Sequence, residues 1–268
     1  MKIGRQNERA SSISSSNAEM IIVRGRDLCA EIIGRTSFTD FFWLLLTGAT
    51  PKPAQSRMLD ATLVAISEHG LVPSVQASRV TYAAAPEAFQ GAVAAGILGC
   101  GSVILGAAEA AGRLLQEVVA RSASSPPAEA AADVVRAYRA DGRPIPGYGH
   151  PLHKGRDPRA HRLFDIAKEI GRHGGHCEAA LAVERVLPEL TGKPLVMNVS
   201  GAIPAVLLDV EFPAAALKGV PILARTASLI AHLVEEQRRP IGFALTHAGA
   251  AAIEYDGPAP AGFVATDR

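Results

Sequence analysis

Residues 147 to 160 read Gly-Tyr-Gly-His-Pro-Leu-His-Lys-Gly-Arg-Asp-Pro-Arg-Ala. His150 stands between Gly149 and Pro151, and glycine lets a backbone approach a ligand closely. Nine residues on, Arg159 follows Asp157 and Pro158, the pattern of a helix start. An imidazole can move protons near neutral pH, and a guanidinium can grip a carboxylate with two parallel hydrogen bonds. Together they would make half of a site for an acidic substrate. The same stretch also reads as a surface loop that carries a His and an Arg, and the motif alone leaves both readings open.

Other polar residues stand out against apolar surroundings. His69 sits at a predicted helix end before Gly70, where the helix dipole raises the basicity of an imidazole; it also reads as a cap. Arg225 enters a helix from an apolar stretch, and a charge placed so needs a partner, structural or bound. Asn198-Val199-Ser200-Gly201 ends an apolar run, where a residue can be presented to a pocket or a turn can form. His232, four residues after Ser228, reads as a satisfied core or interface His. His161, His173 and His176 read as surface residues.

These groups need a scaffold, and its patterning is helical. Little alternates with period two. A short strand is expected at Ile21 to Val23, then helices from Asp27, over Phe41–Leu46, Ala54–His69 and Val75–Ala84. A fifth helix takes in the Gly/Ala-rich segment and runs to Arg121. Further helices are expected over Glu129–Asp141, Pro158–His173, Cys177–Leu190 and Ile222–Gln237, with a short turn or helix at Pro213–Leu217. The Ser-rich start reads as a flexible arm over residues 1–20, without the apolar core of a signal peptide. Residues 258–268 read as a loose tail.

The 268 residues are 48% hydrophobic, with 27 Lys and Arg against 26 Asp and Glu, a formal net charge of +1. That is enough chain for a substantial core, and the balance argues against nucleic-acid or membrane-surface partners. The uncharged stretch between Glu87 and Glu109 is long enough to span a bilayer. Its glycines, Gly91, Gly96, Gly99, Gly101 and Gly106, favour a small-residue helix packed closely on another. Cys29, Cys100 and Cys177 are odd in number and lack a CxxC pair, which fits a reducing cytoplasm. No phosphate loop, HExxH or GxSxG motif occurs, and no metal site is expected.

Four stretches, in order, resemble the citrate synthase superfamily, and within it the citryl-CoA lyases and the lyase module of ATP-citrate lyase. Arg24-Gly25-Arg26-Asp27 with Ser37-Phe38 and Trp43 to Gly48 is similar to the N-terminal pattern of that family. Glu68-His69-Gly70 resembles its Asp/Glu-His-Gly turn. Gly147-Tyr148-Gly149-His150, with Lys154 and Asp157-Pro158-Arg159, resembles its most specific signature. Arg225 followed by Ala231-His232 and Glu235, then Arg239-Pro240, resembles its closing motifs.

The resemblance covers residues 21–257 and implies an all-α fold with a large domain and a small mobile one (roughly 125–220), assembled as a homodimer or higher oligomer. It implies no bound cofactor: a coenzyme A thioester is the substrate, together with di- or tricarboxylates. His69 and His150 would hold the head of a hydroxy acid, and Arg159 and Arg225 would pair its carboxylates. Arg239 is the candidate for the arginine that a partner chain supplies in the family, and Lys154 is a candidate for binding coenzyme A.

Two departures follow. Where condensing enzymes of the family place a second catalytic His, this chain has Leu105, which points to lyase rather than synthase. Where the family has Asp after Asn-Val, this chain has Ser200, an uncharged hydroxyl and a poor base for a carbon acid. The expected activity is therefore cleavage of citryl-CoA, or a related 3-hydroxy-3-carboxyacyl-CoA, to acetyl-CoA and oxaloacetate. A citrate synthase-like condensing enzyme and an inactive CoA-binding paralogue are the alternatives.

Overall fold

Arg24 and Gly25 both have positive φ, 50° and 78°, as a two-residue hairpin turn between right-twisted strands requires. They join β2 (Ile21–Val23) to β3 (Arg26–Asp27), and β1 (Ser14–Ser16) pairs antiparallel with β2. The structure is a computed structural model that describes residues 9–149 and 155–263. Ser14–Ser16, within the stretch read as an arm, pair with Ile21–Val23 in this sheet.

Apart from the sheet, the described residues are mainly helical. The chain divides into two units, residues 1–65 with 107–218 and residues 66–106 with 219–268. In the first, Asp27 caps a short π-helical turn over Leu28–Ile32 through the amides of Cys29 and Ala30. Ser37 caps α1 (Phe38–Thr47), and Gly48 ends it in the left-handed conformation, the usual signals of start and stop. The Arg24 guanidinium donates to the Leu45 carbonyl at 2.9 and 2.6 Å, tying the hairpin to the last turn of α1. Helix α2 (Pro53–Ser67) follows.

The core of this unit is α10 (Val199–Asp209), in which Val199 and every residue from Gly201 to Leu207 are buried. A helix apolar on all sides belongs in a core, and α6 (Ala107–Arg121), α8 (Pro158–Glu169) and α9 (Gly175–Thr191) pack on it. Helix α7 (Pro127–Ala140) packs on α6 and α9. Residues 107–218 share this unit with the first 65 residues, and α6 and α10 pack in one core. Helix α8 stops at Glu169, not His173, because Gly171 turns left-handed at φ 64°.

Asp209 closes α10 and caps α9. Its carboxylate accepts from the amides of Gly174 (2.7 Å), His176 (2.9 Å) and Cys177 (3.0 Å), and lies 2.9 Å from His176 Nδ1. Gly174 has no side chain with which to cap the helix itself, and a Cβ there would meet this carboxylate at 2.9 Å. His173 and His176 are therefore not free surface residues: they pair with Glu178 and Asp209, at side-chain exposures of 14% and 23%. Burial works to raise the Asp209 pKa, but the His176 and Cys177 hydrogen bonds win and hold it at about 2. A depressed carboxylate pKa contributes stability that is present above the ordinary value near 3.8 and is lost as pH falls toward 2. Asp209→Asn should cost about 2 kcal/mol at neutral pH and flatten the acid limb of the stability curve. Urea midpoints at neutral and acid pH check this; an unchanged acid limb would refute it.

The second unit packs α3 (Pro73–Ala84) against α4 (Phe89–Leu98), α11 (Gly219–Arg238) and α12 (Gly242–Ala251). Gly96 permits close packing: a Cβ there would lie 2.6 Å from Leu229 of α11 and 2.9 Å from the Ser74 carbonyl. The expected small-residue packing is present, but the single long helix is not. It is broken into α4, a turn of helix α5 (Gly101–Ile104) and α6, with Gly101 at φ 52°. Helix α12 was not legible in the apolar pattern. The segment Ala214–Arg238, which contains α11, is long and apolar enough to cross a membrane by length and composition. It also holds buried Arg225 and Glu236, as a helix set in a protein core can.

Candidate active site

In the first unit, three separate segments meet at the N-terminus of α10. The Asn198 side chain caps the helix, accepting from the Ser200 amide at 2.9 Å and the Gly201 amide at 3.3 Å, while its own amide group donates to the Gly149 carbonyl at 2.6 Å. Tyr148 pairs antiparallel with Met197, and its hydroxyl donates to the Ala180 carbonyl at 2.8 Å. Gly147 lies backbone against backbone on Gly201: a Cβ on Gly147 would meet the Gly201 Cα at 2.6 Å, and one on Gly201 would meet the Gly147 oxygen at 2.5 Å. Here glycine is required by space, at Gly147 by its φ of 88° as well.

Asp157 links the third segment. Fully buried, it caps α8 through the Arg159 amide (3.0 Å), accepts from Arg159 Nε (3.1 Å) and Nη2 (2.9 Å), and accepts from the Val199 amide (2.9 Å). Burial opposes its ionisation, but the Arg159 hydrogen bonds and charge, with the Val199 amide, hold its pKa below the ordinary value. One carboxylate thereby fixes Arg159 and the start of α10 beside Ser200. A guanidinium has five N–H donors; Asp157 takes the Nε and one Nη2 donor. Arg159 also lines a groove of about 420 Å³ between α2 and α8, whose walls include Ala61, Val64, Leu163 and Ile166. Arg162 lines it as well, and an apolar wall beside arginines suits an acyl chain that ends in a carboxylate.

The amides in the first turn of α10 are already engaged, by Asp157 and Asn198. The chemistry available at this helix end is therefore that of the half-buried Ser200 side chain, which can donate or accept a hydrogen bond but carries no charge.

In the second unit, Glu68 organises the turn that holds His69. Its Oε1 accepts from the amides of His69 (2.9 Å) and Gly70 (2.5 Å), and Gly70 takes φ 74°. Its Oε2 accepts from the Ser228 hydroxyl and lies 3.0 Å from His232 Nε2, both on α11. Burial acts to raise the Glu68 pKa, but Ser228, the Gly70 amide and His232 together lower it. Arg79, 2% exposed, donates to Glu236 (2.5 Å), Glu235 (2.8 Å) and the Arg239 carbonyl (3.2 Å), and its Nη1 lies 3.3 Å from His232 Nδ1. Glu236 in turn accepts from the amides of Ile241 and Gly242 at the start of α12.

Of the residues singled out in the sequence, Arg159 and Ser200 lie in the first unit, Arg159 on the Asp157 carboxylate and Ser200 next to Val199, whose amide the same carboxylate accepts. His69 and Arg225 fall in the second, His69 half-buried and Arg225 5% exposed. Arg239 is exposed just beyond α11. His150 and Lys154 lie outside the described residues. Leu105 is 4% exposed, as an apolar residue should be. His232 is satisfied, as expected, by Glu68 and Arg79. Asp157, Asn198, Glu68 and Arg79 were not assigned roles in advance. Asp157 and Asn198 carried the usual cap signal, whereas the partners of Arg79 are 153 to 160 residues away, so no local pattern exposes them.

The citryl-CoA lyase of Hydrogenobacter thermophilus superposes with a TM-score of 0.82 at 34% identity, over 96% of this chain and 97% of that one. ATP citrate lyase of Methanosaeta concilii, in complex with (3S)-citryl-CoA, shares the fold with a TM-score of 0.78 at 21% identity, over 96% of this chain and 43% of that one. Citrate synthase of Synechocystis sp. is 28% identical over 208 residues, 75% of this chain and 50% of that protein. Putative citrate synthase 2 of Mycobacterium tuberculosis is 30% identical over 194 residues, 70% of this chain and 49% of that protein. The chain thus spans about half the length of the curated relatives it matches. The family described as citrate synthase, C-terminal domain, matches residues 8–242, and the chain belongs to the citrate synthase family.

Proposed function

We propose that this chain is a citryl-CoA lyase, cleaving citryl-CoA or a related 3-hydroxy-3-carboxyacyl-CoA to acetyl-CoA and oxaloacetate. The observation that carries the reading is similarity along nearly the whole of both chains to a citryl-CoA lyase, at 34% identity. Leu105 supports it, since the condensing enzymes that the sequence resembles use a histidine there.

The reaction is a retro-aldol cleavage. A base takes the proton of the tertiary hydroxyl, and the electrons of that O–H bond form the keto carbonyl. The C–C bond breaks, its pair passes to the thioester as an enolate, and an acid protonates the enolate carbon. In this reading His69 deprotonates or polarises the alcohol, and His150 serves the forming keto acid. Arg159 and Arg225 pair carboxylates, Arg239 is contributed to the site of a partner subunit, and Lys154 contacts coenzyme A. Ser200 hydrogen-bonds the thioester or a water. Protonating an enolate asks less of a side chain than generating one from a thioester, which is how a lyase tolerates serine in place of aspartate. No resident cofactor is required.

A homodimer and a cytoplasmic location belong to the same proposal. Ile230 and Val234 of α11 and Phe243 of α12 are exposed, as residues of a self-association surface would be. The three cysteines are free, in keeping with a reducing compartment. The hydroxyl of Ser200 favours one second reading, a CoA-binding paralogue without turnover.

The purified protein should release oxaloacetate from synthetic citryl-CoA, read as NADH oxidation through malate dehydrogenase, and His150→Ala should abolish the release. Binding of coenzyme A without release would shift the assignment to the inactive paralogue or to another hydroxyacyl-CoA.

A further inference from the structure

We infer that His232 is a positioning residue that acts through Glu68 to hold the His69 turn in its working geometry. The inference rests on the proposed role of His69. It starts from the two faces of one imidazole. Arg79 is held by Glu236 and Glu235 and can only donate, so His232 Nδ1, 3.3 Å from Arg79 Nη1, must accept. The proton of a neutral imidazole then sits on Nε2, which donates to Glu68 Oε2 at 3.0 Å. This tautomer follows from the partners on either side.

Glu68 spends its other oxygen on the amides of His69 and Gly70. The carboxylate therefore takes two donors from its own turn and two from α11, Ser228 and His232. Without the α11 donors, the Glu68 side chain, 50% exposed, would hold only the amides of its own turn, and the turn would lose its attachment to the helix. With them, the position of His69 is set from Arg79 through His232 and Glu68. The arrangement differs from a cap, which would need only the two amide contacts.

The test compares His232→Asn with His232→Gln. The Gln amide nitrogen can stand where Nε2 stands and still donate to Glu68; the Asn amide cannot reach it. His232→Asn should lower kcat for citryl-CoA about 100-fold with little change in KM, the cost of a misplaced catalytic group, and His232→Gln should recover most of that loss. Amide hydrogen exchange at His69 and Gly70, followed by NMR, should accelerate in His232→Asn and return toward wild type in His232→Gln. Equal losses of kcat in the two variants, or exchange unchanged from wild type in both, would overturn the inference. If the wild type releases no oxaloacetate, the proposed activity fails while the exchange comparison still decides the positioning role. Should His232→Asn not fold, Ser228→Ala removes the second α11 donor and is read by the same exchange measurement.

Discussion

His69→Ala should cut oxaloacetate release from citryl-CoA by about 1,000-fold or more, within the range that a positioned acid or base supplies, and leave the thermal midpoint close to that of wild type. Three features of the structure support this separation of activity from stability. His69 lies on a turn after α2, outside the helical cores of either unit. The turn is built by backbone contacts to Glu68 and by the conformation of Gly70, neither of which depends on the imidazole. Glu68 itself is anchored by Ser228 and His232. A near-normal rate in His69→Ala would remove the residue from the mechanism and leave it as a helix-end histidine.

Asp157→Ala should have the opposite balance, with stability the first casualty. The carboxylate is fully buried and serves four N–H groups, three of them on Arg159, itself only 18% exposed. Removing one partner of a buried ion pair costs about 3–5 kcal/mol, because the other is left uncompensated; for a chain of this size that lowers the melting temperature by roughly 10 °C. Asp157→Asn keeps the shape but not the charge, so it should lose less stability while still freeing Arg159 to move. Calorimetry of the two variants, with oxaloacetate affinity measured alongside, checks the ordering. An Asp157→Ala midpoint equal to wild type would mean that Arg159 finds another anchor.

Much of this was readable in the chain. Helices α1, α3, α7 and α9 announce themselves by apolar spacing, and α1 by Ser37 and Gly48 at its ends, while α3 and α7 start at Pro73 and Pro127, two residues before the Val75 and Glu129 expected. The signature around Asp157-Pro158-Arg159 was legible because a cap, a proline and an arginine are local facts. What was hidden is non-local. The break of the Gly/Ala segment depends on φ at Gly101, and in so uniform a run no residue type marks which glycine turns. The sheet position of Ser14–Ser16 comes from pairing with Ile21–Val23, which a serine-rich string does not advertise. The partners of Arg79 and Glu68 lie on α11, more than 150 residues away. An isolated Glu before a His cannot reveal that it is gripped from that distance.

The meeting point at the start of α10 also bears on the order of folding. Two of its ties, Asp157 to Val199 and Asn198 to Gly149, close loops of 42 and 49 residues. Closing long loops before their contacts are made is the slow, entropically opposed part of a folding reaction. Helices α8 and α9 can form by local contacts alone. Arg159 and Ser200 acquire their places only when α10 docks and Asp157 gives up its water for the Val199 amide. A chain halted before that step would hold compact helices and a hydrated Asp157–Arg159 pair, without the shared anchor. The same carboxylate that steadies the finished site therefore makes its assembly nearly all-or-none.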